Sequence, residues 1–256
     1  MKSELDAILR AAGRMVLDYS DPRVMVKEGH ANFVTEADVA VQSFLLETLA
    51  KQYPHASFLA EEQESHRMGD GLTFVIDPID GTANFMRRRR ASVISIGAVE
   101  GGKVAFSAVY NPYADELFHA VRGQGAWCNG ECIHAADTPA ESALIGVGSS
   151  PYDPEYVDVT ARTVAAVMRT FGDIRRSGSA AMDGCHIAMG RLDGTFEWNL
   201  RPWDFCACSL IAEEAGARCG HILGGEITYA EPIPYMCATA RIYDAMQEML
   251  LRTLRG

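Results

Sequence analysis

Apolar residues recur every three or four positions near both ends of the chain, which is the spacing of an amphipathic α-helix. This pattern predicts helices over about residues 3–19 and 242–254, and another over about residues 154–171. A further helix is predicted to begin after Thr35, because Thr35 and Asp38 have the spacing of a capping box. We expect these helices to serve as packing elements.

Short apolar runs bounded by turn residues predict β-strands. The predicted strands cover residues 57–60, 74–76, 92–99, 103–110, 116–120, 125–128, 143–147, 194–198, 227–229 and 236–240. Several of them follow one another directly, so we expect an antiparallel sheet and exclude a doubly wound nucleotide-binding fold. Residues 24–33 lack clear periodicity and are expected to form a loop or a loose hairpin.

The composition indicates a globular chain that does not attract polyanions. Its 256 residues are 48% hydrophobic, which suits one large or two small domains with a substantial core. The formal net charge of −11 argues against nucleic acid or a membrane surface as a partner, because the overall field repels polyanions. The first residues carry acids and no long apolar run, so we expect no signal peptide, no membrane span and a cytoplasmic location.

The cysteines are expected to be free thiols. Seven is an odd number, in a chain too large to need disulfides, and this fits a reducing compartment. Two groups of cysteines also contain a histidine. The first group is Cys128, Cys132 and His134, and the second is Cys206, Cys208, Cys219 and His221. Neither group has the Cys-x-x-Cys spacing of a structural zinc site, so buried thiols are the favoured interpretation.

The candidate chemistry centres on the segment from Phe74 to Phe85. Its first apolar residues predict a buried strand that ends at Asp77, where Pro78 removes a backbone donor and stops the ladder. Asp80 follows three residues later, so both carboxylates can face one small volume beside the start of a short helix at Thr82. Paired carboxylates beside helix amides suit Mg²⁺ and phosphate, although an Asp-Pro turn followed by an Asp-Gly turn has the same sequence.

Three further segments have both a structural and a functional interpretation. Glu61 and Glu62 end a short strand, where they are either solvated surface or a source of a third carboxylate. Ser179 opens a helix whose amides could hold a hydroxyl or phosphate group, and a plain N-cap explains it equally. Asp204 begins another helix, where capping is again an alternative to metal binding.

Taken together, these segments resemble the inositol monophosphatase family of Mg²⁺-dependent, Li⁺-sensitive phosphatases. Residues 77–82 are similar to its first signature, and Trp203-Asp204 with the helix ending at Gly216 is similar to its second. The resemblance implies an α/β (α+β) fold, the layered αβαβα sandwich of the inositol monophosphatase and fructose-bisphosphatase type. With the small residues and proline of 135–140 as a boundary, we expect one domain over residues 1–138 and another over 139–256.

The resemblance also implies roles for individual residues. The implied metal ligands, for two or three Mg²⁺ ions, are Glu61, Asp77, the Ile79 carbonyl, Asp80 and Asp204. The implied catalytic residues are Glu61, Asp77 and Thr82, with Thr82 paired to Glu61 to orient water. The implied substrate contacts are Gly81, Thr82, Ser179, Ala180 and Glu197. Asp38 is expected near the metals, in a supporting position.

Four consecutive arginines, Arg87 to Arg90, stand where family members more often carry aromatic, His and Pro residues. Guanidinium groups match phosphate geometry, so Arg87 and Arg88 are candidate anion contacts, as is Lys27 in the family's flap region. A solvated basic surface is the alternative.

The function implied by the resemblance is hydrolysis of a small-molecule phosphate ester by metal-activated water. The first candidate substrate is inositol 1-phosphate or a related polyol or sugar phosphate. Fructose 1,6-bisphosphate, histidinol phosphate and adenosine 3′,5′-bisphosphate are alternatives within the fold, and a non-catalytic phosphate- or metal-binding regulator is an alternative of another class. Homodimers are common in the family.

Overall fold

The computed structural model describes residues 2–19, 23–26, 33–63 and 68–255. In these residues the α-helices are α1 (Lys2–Asp18), α2 (Glu36–Gln52), α3 (Thr82–Met86), α4 (Val157–Thr170), α5 (Ala180–Ala188), α6 (Pro202–Glu214) and α7 (Tyr243–Arg255). The strands are β1 (Val24–Val26), β2 (Phe33–Thr35), β3 (Ser57–Ala60), β4 (Thr73–Asp80), β5 (Val93–Glu100), β6 (Lys103–Asn111), β7 (Glu116–Val121), β8 (Ala126–Cys128), β9 (Glu131–Ile133), β10 (Leu144–Val147), β11 (Asp173–Arg175), β12 (Gly194–Leu200), β13 (Ala217–His221) and β14 (Ile233–Thr239).

The strands form two large sheets and one hairpin. The first sheet has the order β3-β4-β5-β6-β7-β8-β9 and is antiparallel except for the parallel pair β3–β4. The second has the order β11-β10-β12-β14-β13, with β10 parallel to both of its neighbours. Strands β1 and β2 pair in antiparallel fashion. For residues 24–33 the sequence predicted either a loop or a loose hairpin, and this pairing agrees with the hairpin.

Helices and sheets alternate in five layers. Helices α1 and α2 cover one face of the seven-stranded sheet, α5 and α6 lie between the two sheets, and α4 and α7 cover the outer face of the five-stranded sheet. Three apolar clusters fill the interfaces between these layers. The αβαβα sandwich expected from the sequence is therefore confirmed.

The buried faces explain why these segments adopt their structure. In α1 the residues at helical spacing are buried, and they are Leu5, Ile8, Leu9, Ala12 and Val16. In β4 the alternation of strand side chains sends Phe74 and Ile76 towards α1 and α2, and sends Val75 towards the central helices. Asp77 shares the side of Val75, so its position in the strand directs it towards the layer that contains α6.

The structure corrects several boundaries. Strand β4 runs through Pro78 to Asp80, because the ladder with β5 shifts register between Asp77 and Asp80 and thereby accommodates the missing amide. Residues 227–229 are not a strand; instead β13 at Ala217–His221, which was not predicted, pairs with β14. Strands β9 and β11 were also not predicted.

Two other predictions concern bonds and membranes. All seven cysteines are free thiols. Among the described residues, no cysteine belongs to a group of His, Cys, Asp or Glu side chains close enough together to hold a metal ion. No helix in the described part of the chain is both long and apolar enough to cross a membrane.

Candidate active site

A cavity of about 900 Å³ opens where the two sheets approach each other. Its wall contains residues of both sequence halves. They include Glu61, Asp77, Asp80, Thr82, Glu197 and Asp204. Sequence-predicted site residues that are up to 143 positions apart thus share one cavity.

Three carboxylates form the centre of the site. Asp77, Asp80 and Asp204 each offer an oxygen atom, and these atoms lie within 4.8 Å of one another. The first two come from the bulged end of β4, and the third comes from the first turn of α6. The backbone amide of Ile79 donates to Asp77 at 2.9 Å, which fixes the turn after Pro78.

Glu61 approaches the same centre from the neighbouring strand. It follows β3, and its amide donates to the Ile76 carbonyl at 3.2 Å, which places Glu61 beside Asp77 at the ends of two parallel strands. The Glu61 carboxylate contributes to raising the pKa of both Asp77 and Asp204. The site therefore brings together all four acids that the sequence analysis selected.

The pKa values of Asp77 and Asp204 reflect burial and repulsion from the neighbouring acids. Burial raises the pKa of Asp77 and of Asp204 well above the ordinary value, and the neighbouring carboxylates raise both further. Burial raises the pKa of Asp80 to about 6, although hydrogen bonds from α5 oppose the shift. A divalent cation would relieve this repulsion, and a set of oxygen donors only is what Mg²⁺ prefers. The residues present therefore fit the metal that the resemblance implies.

The start of α5 holds Asp80 in place. The Ser179 hydroxyl and the Ala181 amide both donate to one carboxylate oxygen of Asp80, each at 2.7 Å. Ser179 is also the N-cap of α5 and accepts the amide of Met182. The described contacts thus give Ser179 a role in orienting Asp80, in addition to its predicted position beside the substrate cavity.

The hydroxyl of Thr82 lies against Asp38. Its Oγ1 is 3.2 Å from the Asp38 carboxylate and 3.3 Å from the Ile79 carbonyl. Asp38 is fully buried, and its carboxylate also accepts the amide of Thr35 in the predicted capping box, which the structure confirms. Thr82 was expected to pair with Glu61, and the structure adds Asp38 and the Ile79 carbonyl as acceptors for its hydroxyl. The capping pattern identified this acid, but nothing local indicated that it would reach Thr82.

Gly81 allows the tight turn at the site. It has φ of 89°, and a Cβ atom at this position would lie 3.0 Å from the Gly178 carbonyl and 3.1 Å from the Ala91 carbonyl. Only glycine combines this conformation with so close a backbone approach. The turn therefore packs closely against the loop before α5.

A second polar group lies at the end of the cavity near β12. The Glu197 carboxylate accepts the Ser150 amide at 2.6 Å, and burial raises its pKa to about 7. Burial also raises the pKa of Asp183, which lines the same cavity, to about 7. Arg176 opposes both shifts through its positive charge. The sequence analysis identified Glu197 but neither Asp183 nor Arg176.

Asn84 joins the two halves of the chain beside the cavity. Its amide nitrogen donates to the Ala91 carbonyl at 2.6 Å and to the Ser177 carbonyl at 2.9 Å. Its carbonyl oxygen accepts Arg89 Nη1 at 2.9 Å. No sequence motif indicated a contact between residues 93 positions apart, so this bridge was not predicted.

The basic residues near the cavity differ from those named in the sequence analysis. Arg87 and Arg88 are exposed and do not line the cavity, whereas Arg89 does. Lys27 lies outside the described residues. Ala180, named as a substrate contact, lines the cavity at the start of α5.

Comparison with known proteins agrees with this geometry. The sequence model of the Inositol monophosphatase family matches residues 3–255. "Nus factor SuhB" of Salmonella typhimurium is 34% identical over 255 residues, which cover 95% of this chain and 96% of that protein. "Inositol monophosphatase" of Dictyostelium discoideum is 29% identical over 263 residues, which cover 98% and 94% of the two chains.

A solved structure extends the likeness to the fold. The IMPase of Thermotoga maritima superposes with a TM-score of 0.90 at 29% identity, covering 100% of this chain and 99% of that one. The match of the family model over nearly the whole sequence agrees with the acid cluster and the five-layered sandwich. This chain therefore belongs to the inositol monophosphatase family.

Proposed function

We propose that this protein is a Mg²⁺-dependent phosphate monoester hydrolase that acts on a small polyol or sugar phosphate, with inositol 1-phosphate as the first candidate. The observation that carries the proposal is the convergence of Asp77, Asp80 and Asp204 within 4.8 Å in a cavity large enough for a sugar phosphate. The name of the Dictyostelium relative supports the substrate class.

The carboxylates of Glu61, Asp77, Asp80 and Asp204, with the carbonyl of Ile79, would hold the metal. Bound Mg²⁺ supplies a Lewis acid that activates water and stabilises the leaving alkoxide. Ser179 and the first amides of α5 keep Asp80 oriented, so that its free oxygen faces the other acids. The oxygen atoms of three of these proposed ligands, Asp77, Asp80 and Asp204, already lie within 4.8 Å of one another.

Thr82 is proposed to orient the attacking water. When the hydroxyl of Thr82 donates to Asp38, its oxygen can accept a hydrogen bond from water and pass a proton on to Asp38 as water attacks. Burial raises the pKa of Asp38, which makes this carboxylate a better proton acceptor through Thr82. Asp38 is proposed as a partner of Thr82 in addition to Glu61, and Glu61 remains a proposed ligand.

The remaining contacts are proposed to bind substrate. The amides of Gly81 and Thr82 would hold phosphate oxygens, and Ala180 would contact the polyol. Glu197 would accept hydrogen bonds from hydroxyl groups, which fits its place at the far side of the cavity. Because no described residue forms a Ser-His-Asp triad at this cavity, we propose direct attack by water rather than a covalent intermediate.

The test is phosphate release from a panel of esters with Mg²⁺, with EDTA, and with Li⁺ added. The panel contains inositol 1-phosphate, fructose 1,6-bisphosphate, histidinol phosphate and adenosine 3′,5′-bisphosphate. We expect Asp80→Asn and Asp204→Asn each to lower turnover by about 10²-fold or more, because each removes a metal charge partner while keeping an acceptor oxygen. The exposed Asp70 gives the matched control Asp70→Asn, which should be unaffected. Near-normal turnover in either site variant would refute the ligand assignment.

A non-catalytic role is the second candidate, because several relatives carry the name "Nus factor" rather than that of an enzyme. It would be favoured if the purified protein bound inositol phosphate with Mg²⁺ but released no phosphate. We also propose Li⁺ inhibition, a homodimer and a cytoplasmic location. Light scattering of the purified protein tests the dimer.

A further inference from the structure

We propose that the rim of the cavity contains a second phosphate-binding position, formed by Arg89 and Arg176, which favours an ester with two phosphate groups over the matching monophosphate. The inference rests on the proposed hydrolase function at the carboxylate cluster. It adds a specificity determinant that comes from both halves of the chain.

Arg89 is tethered at the cavity by its side chain and its backbone. Its Nη1 donates to the Asn84 carbonyl oxygen at 2.9 Å, and its backbone amide donates to the Asn84 main-chain carbonyl at 3.0 Å. Asn84 is only 3% exposed and is itself fixed by the Ala91 and Ser177 carbonyls. The guanidinium group is therefore attached to a rigid acceptor, which lowers the entropy lost when it binds an anion.

The backbone conformation explains why one arginine of four lines the cavity. Arg88 and Arg90, on either side of Arg89, have positive φ values of 53° and 56°. Such a left-handed conformation is unfavourable for a residue with a side chain. These two left-handed residues flank Arg89 and turn the chain sharply on both sides of it. Of Arg87 to Arg90, only Arg89 lines the cavity.

Arg176 approaches the same point from the other half of the chain. Its Nη2 donates to the Ser149 hydroxyl at 2.7 Å, which holds the guanidinium against the cavity wall. A Cβ atom on Gly178 would lie 3.3 Å from Arg176 Nη1 and 3.3 Å from the Asn84 carbonyl oxygen. Gly178 lacks this atom, so the space between the guanidinium of Arg176 and the acceptor of Arg89 is kept free.

The charges distinguish this position from the metal centre. A guanidinium group has five N–H donors and matches two phosphate oxygens at once. The described contacts engage one donor nitrogen of each arginine. Glu197 and Asp183 face Arg176 and partly offset its charge, whereas Asn84, the contact of Arg89, is uncharged. Arg89 therefore contributes most of the attraction for the second phosphate.

The test measures kcat/KM in the presence of Mg²⁺ for fructose 1,6-bisphosphate and for fructose 1-phosphate, two substrates that differ only in one phosphate group. The variant is Arg89→Gln, which keeps an N–H donor for Asn84 but removes the charge. We expect it to lower kcat/KM for the bisphosphate by about tenfold or more and to leave the monophosphate unchanged, because one charge-assisted contact is lost. Arg176→Gln should also lower kcat/KM for the bisphosphate, but by a smaller factor than Arg89→Gln, because the neighbouring acids Glu197 and Asp183 offset the charge of Arg176.

The matched control is Arg90→Gln, which removes the same charge one position away and should leave both values unchanged. Since Arg89 is exposed, the preference of the wild-type protein for the bisphosphate should also weaken as salt is added. Equal losses for both substrates, or no loss in Arg89→Gln, would overturn the proposal. If neither ester is hydrolysed, the panel of esters described above decides the proposed hydrolase function. Calorimetric binding of the same two fructose esters with Mg²⁺ then decides the Arg89 position by the same comparison.

Discussion

Replacing Asp204 with asparagine should stabilise the metal-free protein and, at the same time, remove most of the stabilisation that Mg²⁺ provides. The opposite signs follow from the geometry. Without a cation, Asp204 adds a third negative charge to two buried carboxylates within 4.8 Å. Asparagine keeps an acceptor oxygen for the Arg201 amide, which Asp204 accepts at 3.2 Å, so the start of α6 remains capped.

The magnitude follows from Coulomb's law. Two unit charges 4.8 Å apart interact by roughly 3 kcal/mol at an effective dielectric constant of about 20. Because the raised pKa values of Asp77 and Asp204 oppose full ionisation, the net gain in the free energy of unfolding should lie below this Coulomb figure, at about 1–3 kcal/mol. For a chain of this size, each kcal/mol corresponds to about 2–4 °C in Tm.

The assay is thermal unfolding of both proteins at pH 8 in EDTA and across a Mg²⁺ titration. In EDTA the variant should melt several degrees above the wild type. Saturating Mg²⁺ should raise the wild-type Tm, because a ligand at 100 times its Kd adds about 2.7 kcal/mol, and the curve of the variant should remain nearly flat. The two Tm curves should therefore cross.

The pH dependence supplies an internal check. A buried carboxyl with a raised pKa destabilises the fold only when it is ionised, so stability falls as pH rises from the unfolded pKa to the folded pKa. The advantage of Asp204→Asn in EDTA should therefore disappear near pH 4. A variant that melts below the wild type in EDTA at pH 8, or one that gains as much from Mg²⁺, would refute the reasoning.

Three other substitutions have defined outcomes. Ser179→Ala removes the cap of α5 and a donor to Asp80, and should cost about 1 kcal/mol in urea unfolding and weaken Mg²⁺ binding by about 10–100-fold in calorimetry. Asp183→Asn replaces a buried acid whose pKa is raised to about 7; it should add up to about 4 kcal/mol of stability at pH 8 and nothing at pH 4, measured by urea unfolding. Gly148→Ala would place a Cβ atom 2.3 Å from the Glu197 carboxylate, so KM for inositol 1-phosphate should rise while the Mg²⁺-induced Tm shift persists.

The sequence predicted those parts of the site that depend on local order. Asp77 and Asp80 lie near the end of the strand that the preceding apolar residues predict, although this strand continues through Pro78, and the capping box at Thr35 is confirmed. These features depend on residues a few positions apart, where strand and cap patterns are reliable. The family resemblance, confirmed by the match over residues 3–255, supplied the layers of the fold.

The contacts that orient the acids were beyond local reasoning. Thr82 meets Asp38 across 44 positions, and Ser179 meets Asp80 across 99. Such contacts depend on how two layers pack, which no short pattern records. Likewise, the sequence of four identical arginines does not indicate which side chain lines the cavity. Arg89 does so, and the residues on either side of it, Arg88 and Arg90, have left-handed backbone conformations that no local pattern predicts.

The missed strand has a similar cause. Residues 217–221 read Ala-Arg-Cys-Gly-His and lack the β-branched or aromatic alternation typical of a strand. They become a strand because β14 provides a hydrogen-bonding partner along its whole length. Residues 227–229 have a more strand-like sequence but no partner strand in the described part of the chain, and they remain irregular.

Because of the placement of α5 and α6, we expect that neither half of the chain folds stably by itself. Phe205 and Leu210 of the later half share one apolar cluster with Val75 and Phe118 of the earlier half. A fragment ending at residue 138 would leave a broad apolar sheet surface in water, which favours aggregation. Recombination between relatives near that point would therefore succeed only where the incoming helices match the sheet they must cover.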